Sequence, residues 1–334
     1  SIQNVAAALA DSSVVLPISL LAFFLLPLIF ALFFGRVFCS AVCPHGALQE
    51  LMLIRPIRLP DWVARPLEWL PYLTLASGVW MAATGCGFMI CRHDPFIGLF
   101  RLSGPRAILA MGLFFMALST VIGRPYCRFA CPYGALLRLA SRWAWRPLTI
   151  TPDECIRCGL CAEACPYGAI EAPVPESAVQ DRATGKPLLR GLILAFPLML
   201  AAGAGLGYAA APALARLHPV VRMSDFERAR AALIPDANLP ERLSTFRQAG
   251  GSLDELHRQA GQVVRRVRWG GIWAGLFVAG VIGCSLAGTV IRRTRPDWRA
   301  DPARCVACAR CVRYCPRELR RLRTGGAGDG GGTS

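Results

Sequence analysis

Charged residues are scarce in this chain of 334 residues, where they make up 17% of the sequence against 54% hydrophobic residues. An ordinary soluble domain carries about a quarter charged residues, so this scarcity argues against one. Lysine is almost absent, because Lys186 is the single lysine among 37 basic residues, and we attribute that skew to coding bias. The apolar content also excludes a disordered chain, a collagen-like chain and a small secreted domain held by disulfides. A membrane protein remains, and its 15 cysteines point to metal ligation.

Several functional motifs are also missing. None of the four histidines lies in a C-x-x-C-H haem attachment motif, and we interpret His45 and His93 as surface or interfacial residues. Residues 1–12 contain no basic segment, so no signal peptide is predicted there. The arginine-rich stretch Arg310–Arg323 has no DNA-reading helix of known type, and beside a membrane such residues serve topology and anionic lipid. We therefore predict no nucleic-acid partner and no catalytic residues.

Five apolar stretches reach or approach the roughly 20 residues with which a helix crosses the hydrocarbon core. They are Val14–Phe34, Leu67–Ile90, Ala107–Ile122, Leu188–Leu214 and Gly271–Ile291. The third is short unless it tilts or borrows flanking residues. The sequence therefore predicts an all-α membrane protein with about five transmembrane helices.

Arginines at the ends of these stretches predict the orientation. Arg124 and Arg128 directly follow the third stretch, and residues 292–295 contain three arginines just after the fifth. The positive-inside rule places these segments in the cytoplasm of a bacterial inner membrane, so the N-terminus and residues 215–270 face outward. The three arginines within 265–268 argue for the opposite orientation. We keep the first orientation because the metal chemistry below agrees with it.

Two cysteine runs share the spacing C-x2-C-x2-C-x3-C-P, at residues 155–166 and 305–316. This spacing is typical of [4Fe–4S] clusters, and in two-cluster ferredoxins the fourth cysteine of each run ligates the other cluster. A structural zinc site, the alternative, prefers paired C-x2-C knuckles. We therefore predict a split two-cluster ferredoxin-like module, with cluster 1 held by Cys155, Cys158, Cys161 and Cys315, and cluster 2 held by Cys305, Cys308, Cys311 and Cys165.

Both runs must lie on one side of the membrane to form one module, and an even number of crossings between them satisfies this requirement. The cytoplasm is the reducing side, where eight thiols remain available for iron instead of being oxidised. The cysteine chemistry therefore predicts a cytoplasmic ferredoxin-like module independently of the arginine pattern.

An internal repeat precedes both runs. Residues 35–48 and 123–136 match at eight of fourteen positions, including Cys-x3-Cys-Pro and the following Gly-Ala-Leu. If a helix continues through each copy, its two cysteines lie on one face, and the proline then discourages further regular helix. Two opposed faces would offer four thiolates, the number that one cubane needs. We expect a third iron–sulfur cluster there, with two buried pairs of free thiols as the alternative; the cysteines are Cys39, Cys43, Cys127 and Cys131.

These paired motifs after apolar stretches, followed by ferredoxin-type runs, resemble the NosR/NirI-like and NapH-like polytopic membrane iron–sulfur proteins. The resemblance is densest at residues 35–48, 123–137, 155–171 and 305–316. It implies electron transfer in anaerobic respiration, between quinol or a cytoplasmic donor and an outward-facing acceptor, within a quinol dehydrogenase-type complex. NosR proteins also carry an outward flavin-binding domain, so the resemblance implies flavin in a missing domain or a separate partner. The rivals are a redox-sensing regulator and a maturation factor of the CcoG-like kind.

The remaining segments complete the predicted organisation. We expect a membrane region at 1–150, ferredoxin halves at 151–187 and 292–323, and two spans at 188–291 that enclose the outward helical loop 215–270. A disordered tail follows at 324–334. Within the loop, helical intervals mark residues 225–233 and 253–267 as a membrane-surface cap or a docking face.

Three further cysteines lie outside these motifs. Cys86 and Cys91 flank the outer end of the second stretch and could form a disulfide, act as a ligand or redox pair, or be inert. Cys284 lies alone within the last stretch, so we interpret it as a packing residue.

Overall fold

The computed structural model of the chain describes residues 2–11, 16–101, 105–150, 155–174, 182–228, 252–290 and 297–325. Helices dominate these residues, and the strands form one two-stranded sheet. In chain order the elements are α1 (Ile2–Ala10), α2 (Ile18–Phe34), α3 (Val37–Ala41), α4 (Pro44–Leu51), α5 (Asp61–Leu67), α6 (Leu70–Ala83), α7 (Met89–His93), α8 (Pro95–Arg101), α9 (Arg106–Ser119), α10 (Pro125–Phe129), α11 (Pro132–Ser141), α12 (Leu160–Ala164), β1 (Ile170–Glu171), α13 (Arg182–Ala215), α14 (Pro219–Arg228), α15 (Leu253–Val290), β2 (Arg299–Ala300), α16 (Arg310–Tyr314) and α17 (Pro316–Gly325).

Each of the five apolar stretches contains a helix, but their lengths differ. Within the described part of the chain, two helices are long and apolar enough to cross a membrane, over Leu189–Ala215 and Leu253–Gly288. Leu194, Leu198 and Leu206 on α13 are 73–76% exposed, as expected of side chains that face lipid. Helices α2 and α9 are apolar but shorter, with 17 and 14 residues.

The helix in the second stretch is shortened by its glycines. Helix α6 ends at Ala83, and Gly85 and Gly87 follow with φ angles of +73° and +132°. Backbone in this region cannot continue a right-handed helix. The predicted second span therefore contains a 14-residue helix, a turn and the short helix α7.

The chain divides into two compact units. Unit 1 comprises residues 1–21, 72–94 and 189–287, and unit 2 comprises residues 22–71, 95–188 and 288–334. Helices α13 and α15 cross within unit 1 with their backbones in contact. A Cβ atom added at Gly207 would lie 1.9 Å from the carbonyl oxygen of Gly271, and one added at Gly275 would lie 2.0 Å from that of Gly203. Glycines at four-residue intervals on both helices permit this approach.

Helix α15 joins two features that the sequence analysis treats separately. The predicted loop helix over 253–267 and the last span form one helix of 38 residues. At 1.5 Å per residue it is about 57 Å long, whereas the hydrocarbon core is about 30 Å thick. Its charged first half therefore extends beyond the length that a membrane would cover. Helix α14 ends at Arg228, so the rest of the predicted helix over 225–233 lies outside the described residues.

Both copies of the internal repeat form the same pair of helices in unit 2. Helices α3 and α10 end before the second cysteine, which becomes the N-cap of the next helix with extended backbone. The prolines Pro44 and Pro132 occupy the first position of α4 and α11. The expectation that these prolines discourage further helix is wrong, because the first helical position needs no backbone N–H and suits the fixed φ of proline.

The two ferredoxin halves combine in unit 2. Strands β1 and β2 pair antiparallel, with Ile170 opposite Ala300 and Glu171 opposite Arg299. The backbone N–H of Asp301 extends this pairing with a hydrogen bond to the carbonyl of Ala169, at 2.8 Å. Helices α12 and α16 pack against each other. Segments separated by more than 120 residues therefore form one small α+β unit. Helix α17 runs to Gly325, and the rest of the predicted tail lies outside the described residues.

Candidate iron–sulfur centres

The two ferredoxin runs adopt the same backbone conformation. The residue before the second cysteine has a positive φ in both runs, 55° at Arg157 and 54° at Ala307. The residue after it also lies in the left-handed region, at Gly159 and Ala309, and forms the N-cap of α12 or α16. Such φ values cost about 1–2 kcal/mol at residues other than glycine. Their recurrence at matching positions therefore marks loops whose shape is set by what the cysteines must hold.

The fourth cysteine of each run turns away from its own loop. Helices α12 and α16 both end directly before this residue, which is the C-cap with extended backbone, and a proline follows. Cys165 packs in one apolar cluster with Cys305 and Cys308 of the second run. Cys315 lines the wall of a cavity together with Cys155, Cys158 and Cys161 of the first run. The structure therefore brings each fourth cysteine to the opposite triplet.

The electrostatics of the thiols follow the same grouping. Burial, followed by the charges of Cys305, Cys308 and Cys165, raises the pKa of Cys311 to about 11. Burial is also the main cause of the raised pKa of Cys161, and Cys155, Cys158 and Cys315 add to it. A thiolate near other thiolates is disfavoured unless a cation neutralises the group. Ionised thiolates in either set would therefore repel one another, and a cationic iron–sulfur core would relieve that repulsion.

The repeat brings its four cysteines together in the same way. Burial raises the pKa of Cys127 well above the usual value, and the charges of Cys131, Cys39 and Cys43 raise it further. The amide of Gln49 donates a hydrogen bond to the Cys127 sulfur at 3.2 Å. The backbone N–H of Gly134 donates one to the Cys131 sulfur at 3.3 Å. We call these four cysteines the pair set.

The donor groups fit iron–sulfur clusters better than single metal ions. Among the described residues, no three Cys, His, Asp or Glu side chains lie close enough to bind one ion. A tetrahedral zinc site with bonds of about 2.3 Å needs sulfurs about 3.8 Å apart. In a [4Fe–4S] cubane each cysteine binds a different iron, so the sulfurs stand wider apart. Each of the three sets supplies the four thiolates that one cubane needs.

Two carboxylates, the partly buried Glu50 and the buried Glu68, connect the elements around these cysteines. Glu50 accepts hydrogen bonds from Arg124 at 3.1 Å, from Arg310 at 2.7 and 3.0 Å, and from the hydroxyl of Tyr167. Glu68 forms ion pairs with three arginines, at 3.2 Å with Arg128, 3.8 Å with Arg138 and 3.0 Å with Arg304. The sequence analysis missed both carboxylates, because neither belongs to a recognised motif.

The arginine near the start of each repeat copy could have been recognised from the sequence as a candidate functional residue. Arg36 and Arg124 occupy equivalent positions directly after the first glycine of each copy, and they are 3% and 2% exposed. Because the same arginine stands near the start of both copies of the repeat, comparison of the two copies within this one sequence could have identified it. Burial of both shows that the repeat encodes more than cysteine spacing.

The structure also places the cysteines and the histidine that lie outside the three cysteine sets. No disulfide joins Cys86 and Cys91, so the disulfide alternative is not realised in the structure. Cys284 is an exposed free thiol on α15. The ring of His45 packs edge-on against Phe96 and Phe100, with centroids 4.8 and 5.3 Å apart, so it lies against aromatic side chains instead of at the open surface.

Comparison with protein families identifies the same regions. A model described as a 4Fe-4S binding domain matches residues 16–60 and 104–150, which contain the pair set. A second model with this description matches residues 148–171, which contain the first ferredoxin run. The chain therefore carries 4Fe–4S binding domains at both copies of the repeat and at the first run.

Three curated relatives match over two-fifths of the chain. YccM of Escherichia coli is 29% identical over 156 residues, which are 42% of this chain and 43% of YccM. The regulatory protein NosR of Pseudomonas aeruginosa is 31% identical over 160 residues, 42% of this chain and 22% of NosR. The methylamine utilization ferredoxin-type protein MauN of Methylobacillus flagellatus is 26% identical over 162 residues, 43% of this chain and 52% of MauN. The match thus covers about half or less of each relative.

No solved structure matches the chain. The resemblance to NosR/NirI-like proteins is confirmed by these relatives and by the matching domain models. The chain is therefore similar to ferredoxin-type 4Fe–4S electron-transport proteins, and two of its helices are suited to a membrane.

Proposed function

We propose that this chain is a membrane-bound electron-transfer protein that holds three [4Fe–4S] clusters. The grouping of the cysteines carries the proposal: cluster 1 at Cys155, Cys158, Cys161 and Cys315, cluster 2 at Cys305, Cys308, Cys311 and Cys165, and a third cluster at the pair set. The cavity lined by the first set and the apolar contacts of Cys165 support the crossed assignment. When bound, such clusters supply reversible one-electron transfer.

The protein residues hold and insulate these centres. The buried cysteines and the apolar side chains around them, such as Val306 and Tyr167, exclude water. Low solvent exposure and hydrogen bonds to sulfur are among the factors that set the potential of such centres. Backbone and amide N–H groups already point at cysteine sulfurs, as at Gln49, Gly134 and Ala169. The chain thus supplies fixed donors around the thiolates before any reaction occurs.

We further propose the donor, the acceptor and the orientation. Electrons would pass between quinol or a cytoplasmic donor and an outward-facing respiratory acceptor, with the ferredoxin-like module in the cytoplasm of a bacterial inner membrane. The pair set directly follows the apolar helices α2 and α9 along the chain, and this neighbourhood supports exchange with a donor dissolved in the membrane. The arginines near the ends of the proposed spans support the orientation.

Purified protein in sealed vesicles tests the proposed function. Vesicles that contain the protein, menaquinol in the membrane and cytochrome c inside should reduce the cytochrome much faster than vesicles without protein. The Cys127→Ser variant should lose most of this rate, because it removes one ligand of the pair set. The Cys284→Ser variant serves as the control, since Cys284 belongs to none of the three sets. Equal rates for Cys127→Ser and wild type would contradict the proposed route.

A regulatory role is the second candidate, because the relative NosR is named a regulatory protein. A regulator needs to change state with its clusters but does not need to sustain electron flow. Cytochrome reduction that stops after one or two turnovers per protein molecule in the vesicle assay would favour the regulator. Continuous turnover would favour electron transfer.

A further inference from the structure

Arg124 lies between the pair set and the second ferredoxin run. Its guanidinium donates to the carbonyl of Cys39 at 2.8 Å and to the Glu50 carboxylate at 3.1 Å. On its other side, Glu50 accepts two hydrogen bonds from Arg310, which directly precedes Cys311. A continuous chain of short hydrogen bonds therefore runs from Cys39 through Arg124, Glu50 and Arg310 to the second run.

The position of Arg124 is enforced by the fold. Its side chain is 3% exposed, and its backbone has φ +49°, in the left-handed region. The guanidinium also lies over the ring of Tyr167, 5.7 Å from the centroid. Glycine would adopt this backbone conformation without strain, so retention of arginine here indicates that its side chain compensates for the cost.

The charge of Arg124 lies close to both cysteine sets. In the pair set, its guanidinium lines one cavity together with Cys39 and Cys127. Toward the second run, it shares the Glu50 carboxylate with Arg310. A buried cation loses little of its field to solvent. One guanidinium therefore stabilises negative charge in two cysteine sets at once.

We propose that Arg124 is a positioning residue that couples the pair set to cluster 2 and raises the reduction potentials of both. This inference rests on the proposed ligand sets. Reduction adds one negative charge to a cluster, so a nearby fixed cation favours the reduced form and a fixed anion opposes it. Glu50 holds Arg124 and Arg310 in place and partly offsets their charge.

The equivalent arginine of the other repeat copy supports this role. Arg36 donates to the carbonyl of Ala303, two residues before Cys305, at 3.3 Å. Both copies of the repeat thus direct a buried arginine at the second ferredoxin run, which explains why this residue recurs beside the cysteines.

Redox titration of the iron-loaded protein, followed by electron paramagnetic resonance, tests the coupling. The signals can be assigned with Cys127→Ser for the pair set and Cys308→Ser for cluster 2. In Arg124→Gln, the ratio of reduced to oxidised cluster at a fixed potential should fall about tenfold for both, a shift of about 59 mV for a one-electron couple. Arg124→Lys should restore most of the shift, and Glu50→Gln should move both potentials the other way.

Arg65→Gln is the matched control, because this arginine is 49% exposed and pairs with Asp61 on its own helix. Loaded Arg124→Gln protein with both potentials unchanged, or with one changed alone, overturns the coupling. If Arg124→Gln does not load iron, unchanged potentials in Glu50→Gln overturn it instead. If wild-type protein holds iron in the ferredoxin runs alone, both the proposed third cluster and the coupling are overturned. The iron content of the wild-type protein shows whether this is so.

Trp298 lies beside the cysteines that are proposed to hold cluster 1. The indole nitrogen of Trp298 is buried and has no hydrogen-bond acceptor among the described residues. Trp298 lines the cavity that Cys155, Cys158, Cys161 and Cys315 also line. Its Cζ2 atom is bonded to the ring carbon that is bonded to the indole nitrogen. This Cζ2 atom lies 3.5 Å from the position that a Cβ atom added at Gly159 would occupy. The side of the ring that carries the indole nitrogen therefore lies close to the first cysteine loop.

We infer that the Trp298 N–H donates to a sulfur of cluster 1. An indole N–H is a donor only, and a buried donor without a partner destabilises the folded state. A sulfur acceptor in the cavity removes this cost. The inference rests on the proposed ligands of cluster 1, and iron content checks those ligands separately.

Trp298→Phe retains most of the ring and removes the donor. The potential of cluster 1 should fall in this variant, since a hydrogen bond to sulfur stabilises the reduced form, whereas the other two potentials should stay the same. Trp143→Phe is the control, because Trp143 is 69% exposed. In wild-type protein, iron–sulfur Raman bands of cluster 1 should shift in heavy water. An unchanged potential in loaded Trp298→Phe overturns the inference, and so does the absence of a Raman shift if the variant does not load iron.

Discussion

At the scale of single residues, the glycine after each Cys-Pro shapes the pair set. A Cβ atom at Gly46 would lie 2.1 Å from the carbonyl oxygen of Cys39, and one at Gly134 would lie 3.0 Å from that of Cys127. Backbone atoms cannot move aside as a flexible side chain can. These glycines therefore allow the second helix of each repeat copy to pack on the first helix, which carries the first cysteine.

Alanine substitutions at Gly46 and Gly134 should destabilise the protein to different extents. Gly46→Ala should destabilise the protein by about 1–3 kcal/mol, as overpacking does, and should lower the iron content of the pair set. Gly134→Ala should cost less, because its contact is nearly 1 Å longer. Thermal unfolding and iron analysis of both variants measure the effect. Equal losses, or a greater loss at Gly134, would contradict the role of this contact.

The acidity of Glu50 gives a second prediction. Burial opposes ionisation, but the hydroxyl of Tyr167 and the charges of Arg124 and Arg310 outweigh it and lower the pKa of Glu50. A depressed carboxyl pKa stabilises the fold above the usual value of about 4.3, and this stability is lost as pH falls through the folded pKa. Glu50→Gln should therefore melt at a lower temperature than wild type at pH 7. The difference should shrink as the pH falls below about 4.5, and a constant difference would contradict this mechanism.

The cysteines proposed to bind iron could be predicted from the sequence, whereas the residues that connect them could not. Cysteine spacing follows from the ligand needs of a cubane, so Cys155 and Cys305 are recognisable without a fold. Glu50 and Arg310 are 260 positions apart and become partners only when the ferredoxin halves assemble. A hydrogen-bond donor such as Trp298 likewise carries no sequence signal, because its role depends on which cavity its ring lines.

At the scale of elements, the lengths and ends of the helices depended on local backbone chemistry. The five apolar stretches each contain a helix, yet Gly85 and Gly87 end the second one early. Pro44 and Pro132 were expected to oppose helix, but each begins one. Hydropathy predicts where apolar segments lie. Caps and glycine conformations decide where a helix stops, and they are harder to predict from one sequence.

The crossing of α13 and α15 provides a prediction with a matched control. Gly207→Leu should separate the helices and lower the melting temperature, because its Cβ would overlap the Gly271 backbone. Gly205→Leu should have little effect, since within the described part of the chain no atom outside its own helix lies within 4 Å of its Cβ position. Thermal unfolding in detergent compares the two. Equal stability of the two variants would show that the helices do not cross at these glycines.

At the scale of the whole molecule, the proposed orientation has a direct consequence for the thiols. With the ferredoxin-like module in the cytoplasm, a membrane-impermeant thiol reagent added to intact cells should not label Cys155 or Cys305. Removal of the clusters should not change this result, because the membrane excludes the reagent. Labelling after cell lysis is the control that both thiols can react. Labelling of either residue in intact cells would reverse the orientation.

The crossed ligand sets link the beginning and the end of the second half of the chain. Cys315 belongs with a triplet 154 to 160 residues earlier, so metal binding would hold residues 297–325 against residues 155–174 together with the β1–β2 pairing. The pair set similarly joins two repeat copies that are 88 residues apart. Iron binding is therefore expected to stabilise the tertiary structure of unit 2 as well as to provide redox chemistry.

The iron and acid-labile sulfide content of anaerobically purified protein tests the central claim most directly. Three cubanes predict about 12 iron and about 12 sulfide per chain, and Cys39→Ser with Cys127→Ser should reduce both values to about 8. About 8 of each in the wild type would contradict the third cluster. Zinc in place of iron would contradict the whole account.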